Sequence, residues 1–186
     1  MCGKRQLIDK KQTIVVLEDD DVMLDFLQKV LERFVECDVY FFNEPSKQFC
    51  NFIEETPVDL FIMDIRLKNS KKNGIQVSED IIYKRRGSIF LFMSGYDYTP
   101  SAFSSLKGQC VYDFLPKPID VDEFLVIVST LLNVASSYKV SFKNTRIKPR
   151  EADMDSFRKE YYDLLRQDRE QIKQLKSMGI GQSATC

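Results

Sequence analysis

Five short apolar runs constrain this chain more than anything else in it: Thr13–Leu17, Val39–Phe42, Leu60–Met63, Ile89–Met93 and Val111–Leu115. They are rich in Val, Ile, Leu and Phe, and they lack polar–apolar alternation. A strand with one wet face alternates; a strand covered on both faces has no polar side to show. These runs therefore read as strands of a parallel sheet with a layer on each face.

The segments between them carry helical spacing. Leu24, Leu27, Leu31 and Phe34 recur every three or four residues. A second helix is expected from Phe49 to Glu55, with Asn43 and Pro45 as cap and first turn. A third contains Ile75, Ile81 and Ile82, and a fourth, after Pro100, carries Phe103 and Leu106. The last has a strong apolar stripe: Val121, Phe124, Leu125, Val128, Leu131, Leu132 and Ala135. Strand followed by helix, repeated across residues 12–137, predicts an α/β doubly wound five-stranded parallel sheet with flanking helices. In such sheets ligands bind beyond the carboxyl ends of the strands, where the strand order reverses.

The residues at those ends are chemically pointed. After the first run come Glu18, Asp19, Asp20 and Asp21; after the third, Asp64; after the fourth, Ser94; after the fifth, Lys117 between Pro116 and Pro118. Carboxylates converging on one cleft repel. A hard divalent cation removes the conflict, and Mg2+, with Mn2+ as a substitute, favours oxygen ligands and a partner phosphate. Asp64 can then act as a nucleophile toward a phosphoryl group, forming a mixed anhydride. Lys117 and the cation offset the developing charge, and the Ser94 hydroxyl can bond a phosphoryl oxygen. Asp20 and Asp21 have a simpler role, capping the first helix and favouring its positive end. Histidine is absent from the chain, which excludes Ser-His-Asp and Cys-His catalysis, imidazole zinc sites and phosphohistidine.

Charge divides the chain. Residues 1–137 carry 16 basic and 21 acidic side chains, a net of −5; residues 138–186 carry 11 and 7, a net of +4. The expected organisation is an N-terminal arm (1–11), a domain (12–137), a basic linker (138–150), a helical extension (151–178) and a disordered tail (179–186). The extension has Met154, Phe157, Tyr161, Leu164, Leu165, Ile172 and Leu175 at near-heptad spacing, interrupted by Asp168. It is expected either to pack on its own domain or to dimerise. Five scattered cysteines without a C-x-x-C pair, no secretory h-region and no membrane-length apolar run predict a cytoplasmic protein.

Four motifs in order resemble the receiver domain of bacterial two-component response regulators. VVLEDD resembles the acidic pair, VDLFIMDIRL the phosphoacceptor strand, FLFMSG the Ser/Thr switch and DFLPKP the lysine motif, whose Lys-Pro bond is usually cis in that family. The resemblance spans residues 12 to about 137. It implies Asp64 as phosphoacceptor, and Glu18, Asp19, Asp64 and the backbone carbonyl of Arg66 as metal ligands. It also implies Ser94 and Phe114 as switch residues and Lys117 as the phosphate-pairing cation. The implied phosphodonor is a histidine kinase or a histidine phosphotransfer protein.

The chain departs from the family pattern in one loop. Lys68 stands where a proline is usual, and Gly74 comes ten residues after Asp64, making RLKNSKKNG longer and basic. Arg66 and Tyr96 occupy positions that tune phosphoryl lifetime in the family. No helix-turn-helix is evident after the domain, so nucleic acid is not expected as a partner; a protein target or a homodimer is. The alternatives are a phosphorylation-independent pseudo-receiver and a magnesium-dependent phosphatase of the haloacid-dehalogenase type. The phosphatase needs an Asp at the position of Arg66.

Overall fold

The structure, a computed structural model, describes residues 11–96 and 100–142, and beyond them 159, 162–164, 166, 167, 170, 174 and 177. Five strands form one wholly parallel sheet: β1 (Thr13–Leu17), β2 (Asp38–Phe42), β3 (Leu60–Asp64), β4 (Ile89–Ser94) and β5 (Val111–Pro116). Their order is β2-β1-β3-β4-β5, so the chain leaves β1 in one direction and returns on its other side. The helices are α1 (Asp21–Phe34), α2 (Lys47–Glu55), α3 (Gly74–Lys84) and α4 (Val121–Phe142), with a 3-10 helix at Pro100–Leu106.

The pleat sends alternate residues of each central strand to two cores. Ile14, Val16, Leu60, Ile62, Leu91 and Met93 meet α1 and α4 on one face, through Leu27, Leu31, Phe124, Val128 and Leu131. Val15, Leu17, Phe61, Met63, Phe90 and Phe92 meet α2, α3 and the 3-10 helix on the other, through Phe49, Ile53, Ile81 and Phe103. Neither set of strand residues can be polar, which is why the runs do not alternate. The second face is built largely of rings: Phe61, Phe90, Phe92 and Phe103 follow one another with centroids 5.2, 5.6 and 5.4 Å apart. Each buried Phe contributes roughly 1.5–3 kcal/mol by leaving water.

Several expectations need correction. The edge strand β2 is only partly covered, with Tyr40 39% exposed, because among the described residues no strand pairs beyond it. Phe34 is 56% exposed at the last position of α1, with the Arg33 guanidinium 5.3 Å from its ring centre. Ser46, not Asn43 or Pro45, caps α2: its hydroxyl accepts from the Phe49 N–H, a geometry proline cannot supply. The segment after Pro100 is a seven-residue 3-10 helix rather than an α-helix, and the turn after it uses Gly108 at a φ of 76°. Helix α4 runs through Phe142, past the boundary expected at 137, so the first part of the basic stretch is helical. Residues of the expected extension are helical at each described position. The arm through residue 10, the remaining linker (143–150) and the tail lie outside the described residues. Among the described residues no helix is long and apolar enough to cross a membrane.

Candidate functional site

Strand register assembles the site. Leu17 pairs with Met63, so Glu18 follows β1 beside Asp64 at the end of β3. Asp64 pairs with Met93, which brings Ser94 alongside; Ser94 pairs with Pro116, and Lys117 comes next. Neighbouring strands lie about 4.8 Å apart, so the register alone gathers groups up to 99 residues apart in the chain. The Lys117 N–H donates to the Ser94 carbonyl at 2.7 Å, and the Lys117-Pro118 bond is cis, as the lysine motif implied.

One oxygen from each of Glu18, Asp19 and Asp64 falls within 4.8 Å of the others. Glu18 is fully buried and Asp64 nearly so. The Lys117 ammonium bridges them, 2.7 Å from Glu18 Oε2 and 3.3 Å from Asp64 Oδ1. Its shorter contact is to Glu18, a pairing that strand-by-strand reading of motifs does not suggest. Burial raises the Glu18 carboxyl above its usual range, Lys117 pulls it back, and the charge of Asp64 raises it again. Burial likewise raises Asp64, against the pull of Lys117 and of the Arg66 backbone N–H. Burial thus outweighs the lysine, and both acids hold protons more tightly than free carboxylates do.

The donor set fits a hard cation. It is all oxygen, and Asp19 Oδ1 is buried without a hydrogen-bond partner. An orphaned carboxylate oxygen beside two other acids is costly unless a cation meets it. Asp20 and Asp21 stand outside this group. Asp20 is the N-cap of α1, its Oδ1 accepting from Val22 and Met23 N–H, and Asp21 sits in the first turn. The Met23 N–H holds the Asp20 carboxyl below the usual range.

The acids floor a cavity of about 790 Å³ whose rim includes Arg66, Lys68, Tyr96 and Lys117. The Arg66 guanidinium lies 4.7 Å from the centre of the Tyr96 ring at this rim. Ser94 is buried, and its hydroxyl accepts from the Tyr96 N–H at 3.2 Å. Phe114 is half-buried on β5, its ring 6.1 Å from that of Phe103, next to the second core.

Two features of the long loop escaped motif reading. The Lys68 backbone N–H donates to Asp19 Oδ2. Gly74 packs so closely on β3 that a Cβ there would lie 2.1 Å from the Asp64 carbonyl oxygen. The glycine was a visible signal of close approach; nothing in a pattern of side chains marks a backbone donor.

A family profile for the response regulator receiver domain matches residues 14–129. The response regulator protein TodT of Pseudomonas putida is 26% identical over 133 residues, covering 72% of this chain and 56% of TodT. A putative response regulator of Rickettsia typhi, NtrX-like, is 30% identical over 109 residues, covering 58% of this chain and 22% of that protein. The chain thus spans about half the length of TodT, and less of the other. The signal receiver domain of an HD domain-containing protein from Pseudomonas fluorescens superposes with a TM-score of 0.61 at 18% identity, covering 72% of this chain and 95% of that one. A CheY-like receiver domain protein from Methanospirillum hungatei gives 0.57 at 21%, covering 69% and 99%. At these identities the structures speak to the fold alone.

Proposed function

The chain belongs to the response regulator receiver domain family, and on that premise we propose that it is a phosphorylation switch that takes a phosphoryl group on Asp64. The observation that carries this reading is the cluster itself: three acids within 4.8 Å, two of which, Glu18 and Asp64, are bridged by Lys117. A carboxylate oxygen of Asp64 attacks phosphorus in line with the leaving group. The bond from phosphorus to the donor's histidine nitrogen, or to an acyl oxygen of a small donor, breaks with its electron pair going to the leaving group. The product is a mixed anhydride on Asp64. Lys117 shifts its ion pair toward the new phosphoryl oxygens, and the Ser94 hydroxyl, which now only accepts, has its proton available to donate to one of them. A Mg2+ ion held by Glu18, Asp19, Asp64 and the Arg66 carbonyl would supply charge neutralisation at the transferring group.

Residues 1–186 hold no histidine, and the donor we assign is a histidine kinase or a histidine phosphotransfer protein. We assign the output to contacts with a protein target or a second copy, through β5 and the elements around it. Movement of Ser94 would draw Phe114 inward and change that face. Tyr162 of the C-terminal segment already donates a hydrogen bond to the Tyr112 carbonyl on β5 at 3.2 Å, which supports a role for the extension there. The site of action is assigned to the cytoplasm. The phosphatase reading loses support because Arg66 stands where its acid–base Asp would be and stacks on Tyr96.

A pseudo-receiver is the second reading. It is favoured by the way the protein's own donors, Lys117 and the Lys68 amide, already engage the acids. Incubation with acetyl phosphate and Mg2+ separates the two. The expected result is one acid-stable, base-labile phosphoryl adduct on the parent and none on Asp64→Asn. Equal labelling of both contradicts the assignment of Asp64; labelling of neither favours the pseudo-receiver.

A further inference from the structure

We propose that the main-chain N–H of Lys68 is a positioning group for the cation site, holding Asp19 so that a single carboxylate oxygen is presented to the cluster. The inference rests on the receiver reading and deepens it. The two oxygens of Asp19 are in different situations. Oδ2 accepts the Lys68 N–H, while Oδ1 is buried with no protein partner. A carboxylate tethered at one oxygen cannot rotate freely, so the other has a defined place.

The tether works because the loop that carries it is itself fixed. Leu67, just before it, is buried. The Ser70 N–H donates to the Leu67 carbonyl at 3.4 Å, closing a turn over Lys68. At its far end the loop enters α3 through a capping box of Asn73 and Gln76. The Gly74 N–H donates to the Ile65 carbonyl at 2.9 Å, closing the base of the loop next to Asp64. The Lys68 side chain adds a second strap, its ammonium 3.5 Å from Asp20 Oδ2. That side chain is 66% exposed, so its ion pair is weak in water, whereas the amide donates directly to the charged carboxylate of Asp19. The identity of residue 68 therefore matters through its backbone: any residue but proline offers this donor. Hydrogen-bond partners of metal-binding carboxylates orient the ligand, and their loss typically weakens metal affinity by about 10–100-fold.

Calorimetric titration of Mg2+ into the unphosphorylated full chain tests the assignment. The forms compared are the parent, Lys68→Ala, Lys68→Pro, and the chain with the amide at position 68 replaced by an ester. Lys68→Ala keeps the amide and is expected to bind within about twofold of the parent. Lys68→Pro and the ester lack the donor and are expected to bind about tenfold more weakly. Thermal melts without Mg2+ should leave the ester close to the parent, which separates positioning from folding. The ester retains the lysine side chain, so it decides the matter if the proline variant fails to fold. Unchanged affinity in the ester, with the parent binding, overturns this inference alone. An equal loss in Lys68→Ala and the ester overturns it too, by assigning the effect to the ammonium. Absence of Mg2+ binding by the parent overturns the phosphorylation-switch reading and this inference together.

Discussion

Replacing Lys117 by Ala should destabilise the protein in a way that depends on pH. The ammonium stands 2.7 Å from Glu18 and 3.3 Å from Asp64, and its side chain is only 17% exposed. Unit charges about 4 Å apart attract by roughly 4 kcal/mol at an effective dielectric near 20, before desolvation is counted. Removing one partner of a buried pair typically costs about 3–5 kcal/mol, because the other charge is stranded. Here the stranded carboxyls have an escape, since they can take up a proton. Burial already sets Glu18 and Asp64 above their ordinary values, so folding binds protons at these sites. Stability from such groups falls as pH rises from the unfolded carboxyl range through the raised folded values. Lys117 is the group that pulls both back down, so its loss widens that window. The expected penalty is about 3 kcal/mol at pH 8, or roughly 6–12 °C in melting temperature, and about 1 kcal/mol at pH 5. Urea denaturation of parent and variant at both pH values, without divalent cation, measures it. Mg2+ should recover part of the loss at pH 8. A penalty equal at the two pH values, or larger in acid, would refute the electrostatic account of the cluster.

Two further perturbations probe the loop and the extension. Gly74→Ala places a methyl against the Asp64 carbonyl oxygen, where only 2.1 Å is available, and should cost about 3 kcal/mol in urea denaturation while displacing the loop. Deleting residues 151–186 should abolish any phosphorylation-dependent dimer in light-scattering chromatography; a dimer that persists without them places assembly on the domain itself.

Much of the fold could be read from local patterns. The lack of alternation in Val15 and Val16, or in Phe90 and Leu91, follows from two covered faces, and the structure shows each pair split between two cores. Helix spacing placed α1, α3 and α4 for the same reason. Reading failed where context beyond the segment decides. Phe34 fits the helical stripe but falls at the end of α1, past the reach of the sheet. The length of helix after Pro100 depends on how β4 and β5 are bridged, which spacing does not encode.

The site divides along the same line. The sequence by itself determined which chemical groups stand at the strand ends, since acids, a hydroxyl and a lysine follow directly upon buried runs at Glu18, Asp64, Ser94 and Lys117. Only the tertiary structure decided how they face one another. Parallel register, set by packing on both sides of the sheet, put Glu18 beside Asp64 and let one lysine reach both. A backbone amide from a distant loop took one oxygen of Asp19 and left the other buried without a hydrogen-bond partner. The physical reason is range. Hydrophobic periodicity is a property of a dozen neighbouring residues, whereas the partners of a buried charge come from wherever the folded chain happens to return.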